Sequence, residues 1–143
     1  TLTYPAYTGD EPRNAYVYIP NEAKKHPERR YPVLYMFDGH NVFFDEDATY
    51  GKSLGLKEFL DHWGKKLIVV GIECSSEDLQ RVHEYCPYRI KSAIYGDVKG
   101  RGEATVDWIV TSPPVISAVC LSSGRPRPTL RVLRVVVNGS ITA

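Results

Sequence analysis

Two uninterrupted apolar runs, residues 31–37 (YPVLYMF) and 67–72 (LIVVGI), constrain this chain more than any other feature. Each has the length of a strand, and unbroken rather than alternating apolarity marks a strand covered on both faces, as in a parallel sheet under helices. Between them Leu56, Phe59, Leu60 and Trp63 recur at helical spacing and line one face, with Ser53 placed to cap the start and Gly64 the end. Strand, helix and strand in this order predict a βαβ crossover with parallel strands, and hence an α/β fold class. An earlier strand is expected in residues 14–20 (NAYVYIP), followed by an exposed charged loop over 21–30. A shorter helix is expected over 103–110, with Ala104, Trp108 and Ile109 toward the sheet.

The composition changes abruptly near residue 110. All 17 acids, all 4 histidines, every lysine and every aromatic residue precede Thr111, and residues 111–143 contain none of them. A frameshift, a fusion or an unrelated terminal exon produces such a break. The expected organisation is therefore a segment 1–110 of enzyme-like character and a divergent tail 111–143. Within the tail, residues 130–137 (LRVLRVVV) have strand propensity, residues 111–128 read as a loop with four prolines, and Arg125-Pro126-Arg127-Pro128 reads as an exposed linker.

With 143 residues, a formal charge of +1 and 24% charged residues, the chain is expected to form one domain with an ordinary polar surface. No overall basic excess points to nucleic acid or to an anionic membrane as partner. No apolar run has the length of a membrane span and the first twenty residues carry no signal-like pattern, so a cytoplasmic location is expected, with a signal removed before Thr1 left open. Cys74, Cys86 and Cys120 are odd in number and lack CxxC spacing, which fits reduced thiols better than a disulfide framework or zinc site. As a nucleophile Cys74 is disfavoured by the adjacent Glu73, which opposes the thiolate. Asn138-Gly139-Ser140 matches a glycosylation sequon, but without a secretory signal no glycan is expected.

The residues most suggestive of chemistry follow the first apolar run: Asp38-Gly39-His40-Asn41. Ligands in open α/β sheets sit beyond the carboxyl ends of strands, and a glycine there lets backbone amides turn toward a developing negative charge. The plain alternative is a strand-to-helix turn in which Asp38 bonds to nearby amides.

The stretch YPVLYMFDGHNVFFDEDATYGKSLGLKEFLD, with LIVVGIECS after it, resembles the esterase family of α/β-hydrolases that includes ferric-enterobactin esterases, acetyl xylan and feruloyl esterases and esterase D. The resemblance spans roughly residues 12–110. Within it, RVHEYCPY (81–88) is similar to the family's Arg-x-x-acid-Tyr-x-Pro segment, and GEATVDWIV (102–110) to the helix before the nucleophile strand. It implies the N-terminal portion of an α/β-hydrolase fold, a mostly parallel sheet with flanking helices, incomplete in this chain. It also implies a serine carboxylesterase acting without a cofactor on a small-molecule, carbohydrate or siderophore ester. Gly39, His40 and Asn41 would form the oxyanion-hole loop, with the amide of His40 or Asn41 as donor, and Asp38, Arg81, Glu84 and Tyr85 would shape the pocket. For Arg81 and Glu84 the alternative is an exposed salt bridge.

The nucleophile elbow Gly-x-Ser-x-Gly is missing. Only Gly139-Ser140 follows a strand-like run, Asn138 occupies the first glycine position, and no histidine or acid lies beyond Asp107. The expectation is a truncated hydrolase, inactive alone, or else a noncatalytic α/β module whose tail pairs with the sheet edge or a partner. Among the histidines, His26 and His62 read as solvated, whereas His40 and His83 fall in loops at strand ends where a general base can sit. Asp45-Glu46-Asp47 fails as a calcium loop, because Tyr50 and Leu56 stand where glycine and glutamate are required; acids there are expected to serve the following helix's dipole. No metal is expected.

Overall fold

The computed structural model describes residues 13–26, 28–111, 134–137 and 140–142. Along the chain lie β1 (Ala15–Tyr18), α1 (Asn21–Lys25), β2 (Val33–Phe37), a 3₁₀ turn (Gly39–Asn41), α2 (Leu56–His62), β3 (Ile68–Ile72), α3 (Gln80–Tyr85), β4 (Ile90–Ser92), β5 (Gly96–Val98), α4 (Gly102–Thr111), β6 (Arg134–Val137) and β7 (Ser140–Thr142). The main sheet runs β2-β3-β1-β6-β7, and β4 and β5 form a separate two-stranded ribbon.

The expected mostly parallel sheet of an α/β-hydrolase is not what forms. β2 is parallel to β3 and β6 to β1, but β1 is antiparallel to β3 and β7 to β6, so the sheet is mixed. The helices with it are short, from 5 residues in α1 to 10 in α4. An unbroken apolar run carries no information on strand direction, which is why the expectation failed. The parallel β2–β3 pair joined through α2 is present within this mixed sheet.

Burial follows position in the sheet. β3 and β1 are buried at every residue, as inner strands are. β2 departs from the expectation of two covered faces, with Leu34 46% and Phe37 45% exposed. β1 accommodates two tyrosines because their hydroxyls find acceptors, Tyr16 on Glu73 at 2.8 Å and Tyr18 on Asp61 at 3.0 Å. One face packs Ala15, Val17, Ile68, Val70 and Ile72 against Ile109 and Trp108 of α4. The opposite face packs Tyr16, Tyr18 and Val69 against Val42, Phe43 and Leu60, with Leu56 and Trp63 beside them.

Local departures have local causes. Residues 21–25 form a helix rather than a loop: Glu, Ala and Lys are good helix formers, and Pro20 supplies the extended residue that precedes it. In α2 Leu60 is buried while Phe59 is exposed, and the caps are Gly55 and Trp63 rather than Ser53 and Gly64. Ser53 is held instead by Asp45. In α4 Ile109 and Thr105 face inward and Ala104 is exposed. The tail strand appears as β6, beginning at Arg134; Cys120, the proline-rich stretch 111–128 beyond Thr111, and Asn138-Gly139 lie outside the described residues. Among the described residues no helix is long and apolar enough to cross a membrane.

A close backbone contact joins the turn after β2 to β3. A Cβ at Gly39 would lie 2.4 Å from the carbonyl carbon of Gly71, with nothing flexible to yield. At Gly64 a Cβ would meet nothing within 4 Å. Gly39→Ala is therefore expected to destabilise the fold by about 3 kcal/mol through overpacking, whereas Gly64→Ala stays within about 0.5 kcal/mol of the parent. Urea unfolding midpoints check both.

Candidate functional site at the end of β2

Asp38 follows β2 in the left-handed region, at φ 54° and ψ 49°, a conformation that aspartate tolerates better than most residues. The reversal brings the 3₁₀ turn down onto β3, where Gly39 rests against Gly71. Within the turn the Asn41 amide donates to the Asp38 carbonyl at 2.8 Å and the Val42 amide to the Gly39 carbonyl at 3.2 Å. Among the described residues no acceptor within hydrogen-bond range engages the amides of Gly39 or His40. Of the two donors the resemblance implied, the Asn41 amide is thus engaged in the turn. Its side-chain oxygen instead accepts from the Thr49 amide at 2.9 Å, and His40 Nε2 lies 3.0 Å from Thr49 Oγ1.

Three of the four residues assigned to the pocket converge. Arg81 Nε donates to Asp38 Oδ1 at 2.9 Å, with Nη2 on the second oxygen, a two-pronged contact that a planar guanidinium is built to make. The Tyr85 hydroxyl donates to Oδ1 at 3.0 Å and accepts from the Asp38 amide at 3.2 Å. The Arg81 guanidinium carbon also stands 5.1 Å from the centre of the Tyr85 ring, and Phe37 packs on that ring at 4.6 Å.

Glu84 belongs elsewhere. It takes two hydrogen bonds from Arg13, at 3.1 and 2.8 Å, with both side chains only 1% exposed. Neither Arg81 nor Glu84 therefore takes part in an exposed bridge between the two. Residues 81 and 84 are three apart and so neighbours on α3, but their partners differ: Arg81 and Tyr85 meet Asp38, and Glu84 meets Arg13.

Burial alone would favour the neutral acid at Asp38, but the hydrogen bonds from Arg81, Cys74 and Tyr85 outweigh it and hold the carboxyl below its usual range. Arg81 is pushed higher still, first by its hydrogen bond to Asp38. Tyr85 is raised by burial and then by the Asp38 charge. Cys74 was not among the residues assigned to this pocket. Burial, followed by its hydrogen bond to Asp38, lifts its thiol to about 11, so it is a proton donor to the cluster rather than a nucleophile. Its position two residues beyond the 67–72 run was the signal that could have placed it there.

The remaining polar residues are engaged structurally. His83 Nδ1 accepts from the Lys99 amide at 3.2 Å, His62 Nδ1 lies 2.7 Å from the Glu58 carbonyl, and His26 lies 3.5 Å from Glu28. Asp45 closes its own loop, accepting from the Ser53 amide and hydroxyl at 2.8 Å each and from Lys52 at 3.1 Å, which lowers its pKa to about 2. It binds a loop residue eight positions on instead of serving the helix dipole. Among the described residues no group of three or more His, Cys, Asp or Glu side chains is placed to hold a metal ion.

The arrangement can therefore offer one or two backbone amides to an anion beside a carboxylate already neutralised by arginine. Compared with protein families, with curated proteins and with solved structures, the chain matches none.

Because the folded-state pKa of Asp38 is depressed, its ionised form contributes stability above the unfolded value, about 4, and that contribution is lost as pH falls through the folded value. Arg81→Gln is expected to move the Asp38 carboxyl titration upward in a carbon-detected NMR experiment. It should also lower stability at neutral pH by about 1 kcal/mol, a small figure because Arg81 is half exposed to solvent. The gap between parent and variant should close on acidification.

Proposed function

We propose that this chain carries the oxyanion side of a carboxylic ester hydrolase of the serine type, related to the esterase family that its 12–110 segment resembles. The observation that supports this reading is the Asp38–Gly39 reversal, which leaves the Gly39 and His40 amides without acceptors among the described residues. A tetrahedral intermediate of acyl transfer concentrates charge on one oxygen, and an amide so placed stabilises it by about 3 to 4 kcal/mol. Arg81 and Tyr85 hold Asp38, the residue that begins the turn, and so position the loop. The substrate class on this reading is a small-molecule, carbohydrate or siderophore ester, and the site of action is the cytoplasm.

The nucleophile and its base are not provided by these residues. Without the elbow serine and its histidine, hydrolysis loses several orders of magnitude in rate. The 143-residue chain is expected to show no turnover of a short-chain aryl ester above buffer and no labelling by a serine-directed fluorophosphonate. Sustained hydrolysis blocked by that reagent would contradict it. The loop itself is tested with an alkyl phosphonate, a stable mimic of the tetrahedral anion. Titration should shift the Gly39 and His40 amide resonances, and His40→Pro, which removes one N–H, should weaken binding. Amide resonances that do not respond would refute the oxyanion assignment.

A second reading has its own support. β6 pairs in parallel with β1 from Tyr16–Arg134 to Tyr18–Val136, which is how a noncatalytic module would use its tail to cover a sheet edge. On that reading the amides of the β1–β6 ladder resist hydrogen exchange and the phosphonate leaves the loop unchanged.

A further inference from the structure

The β4–β5 ribbon stands apart from the main sheet, and its composition differs from the rest of the chain. Residues 88–101 hold four basic side chains, Arg89, Lys91, Lys99 and Arg101, against one acid, Asp97, a balance of +3 in a chain whose total is +1. The same segment exposes large apolar groups: Ile94 at the tip is 82% exposed and Tyr88 at the base 74%, with Ile90 and Tyr95 about half exposed between them. Arg89, Lys91 and Lys99 are exposed as well.

This tip is held in place. The Ser92 hydroxyl accepts from the amides of Ile94 and Tyr95 at 3.2 and 3.1 Å, and Gly96 completes the reversal at φ 69°. At the base Gly100, at φ 62°, packs so closely on the Tyr88–Arg89 backbone that a Cβ would lie 2.1 Å from the Tyr88 carbonyl carbon. The Lys99 amide binds His83 Nδ1, the Arg101 amide binds the His83 carbonyl at 2.9 Å and the Gly102 amide binds the Cys86 carbonyl at 2.9 Å, which anchors the ribbon to α3. Val98, opposite Ile90, is fully buried, so the ribbon has one face on the protein. A fixed loop that keeps isoleucine in water has given up the usual means of hiding it, a collapse onto its own surface.

We propose that the 88–101 ribbon docks on an anionic lipid surface, with Ile94 entering the headgroup boundary, Tyr95 and Tyr88 at the interface, and Arg89, Lys91 and Lys99 facing the lipid phosphates and carboxylates. Charge complementarity selects this occupant. Asp97 stands opposite Lys91, but the ribbon's basic side chains outnumber it, and a basic ribbon with an apolar tip matches a layer that is anionic outside and apolar beneath, with tyrosine favouring the boundary between the two. A nucleic acid offers the same phosphates but nothing for an aliphatic tip, since bases stack on aromatic rings rather than on isoleucine. The chain's small net charge concealed this, because the excess acids outside the ribbon cancel it in the total.

The test is co-sedimentation of the 143-residue chain with vesicles of phosphatidylcholine alone and of equal parts phosphatidylcholine and phosphatidylserine. Binding is expected only to the mixed vesicles, and high salt or the pair Lys91→Gln and Lys99→Gln should weaken it about tenfold. Ile94→Ser should weaken it by about tenfold at unchanged charge, and Ile94→Trp should strengthen it, a gain that misfolding does not produce. The proposal is overturned by failure to bind mixed vesicles, by equal binding to both, or by indifference to Ile94→Ser. Retention by polyuridylate with no sedimentation on vesicles would overturn it in favour of nucleic acid.

Discussion

The contact between Gly39 and Gly71 fixes the geometry on which the site depends. A side chain at Gly39 would strike β3 backbone, and a Cβ at Gly71 would stand 3.0 Å from the Gly39 Cα, so the 3₁₀ turn lies directly on the strand with no layer of side chains between. That approach sets the height of the turn above the sheet. It also explains the conformation of Asp38, which must reverse the chain within one residue of leaving β2. Once reversed, its carboxylate is within reach of α3, and Arg81 and Tyr85 close on it.

A second set of polar contacts ties the entry of β1 to the same region. Arg13 and Glu84 are almost fully buried, and two charges in such a place are tolerated only when geometry and hydrogen bonding are good, as in the two-pronged contact here. Removing one partner would leave the other charge stranded in the interior. Nearby, Glu73 accepts from the Asn14 amide at 2.8 Å, its side-chain nitrogen at 3.2 Å and the Tyr16 hydroxyl at 2.8 Å. Residues 13–16 are therefore held to the end of β3 and to α3 by charge and hydrogen bonds, while residues 15–18 are held by burial.

How much of this was legible follows from what each signal encodes. The strands at 15–18, 33–37 and 68–72 and the helices at 56–62 and 102–111 lie in stretches whose apolar content or periodicity reports burial, and burial is what a local pattern records. Direction is not local: nothing in AYVY says that β1 runs against β3, and so the mixed sheet could not be read. Partner choice is not local either. Glu84 was assigned with Arg81, three residues away, but its partner is Arg13, 71 residues away. Arg81 and Tyr85 were grouped with Asp38 through the resemblance alone; the contacts they make with it join residues more than forty positions apart, which no local spacing encodes.

The ion pair at Asp38 bears on the proposed chemistry in a way neither residue suggests alone. An uncompensated carboxylate beside an oxyanion-binding loop would repel the negative charge the loop is meant to receive, and low dielectric would strengthen that repulsion. With Arg81 on both oxygens, and Tyr85 and Cys74 also donating to the carboxylate, its acceptor sites are largely occupied and the local charge is close to balanced. Asp38 can then act on the loop through its backbone conformation, which aims the following amides, without its side chain opposing the same function. The arginine is thus a positioning residue whose charge serves the aspartate rather than a substrate. The proposed site recognises its ligand by amide dipoles instead of by net charge, which suits an anion that exists only while a neutral ester is being cleaved.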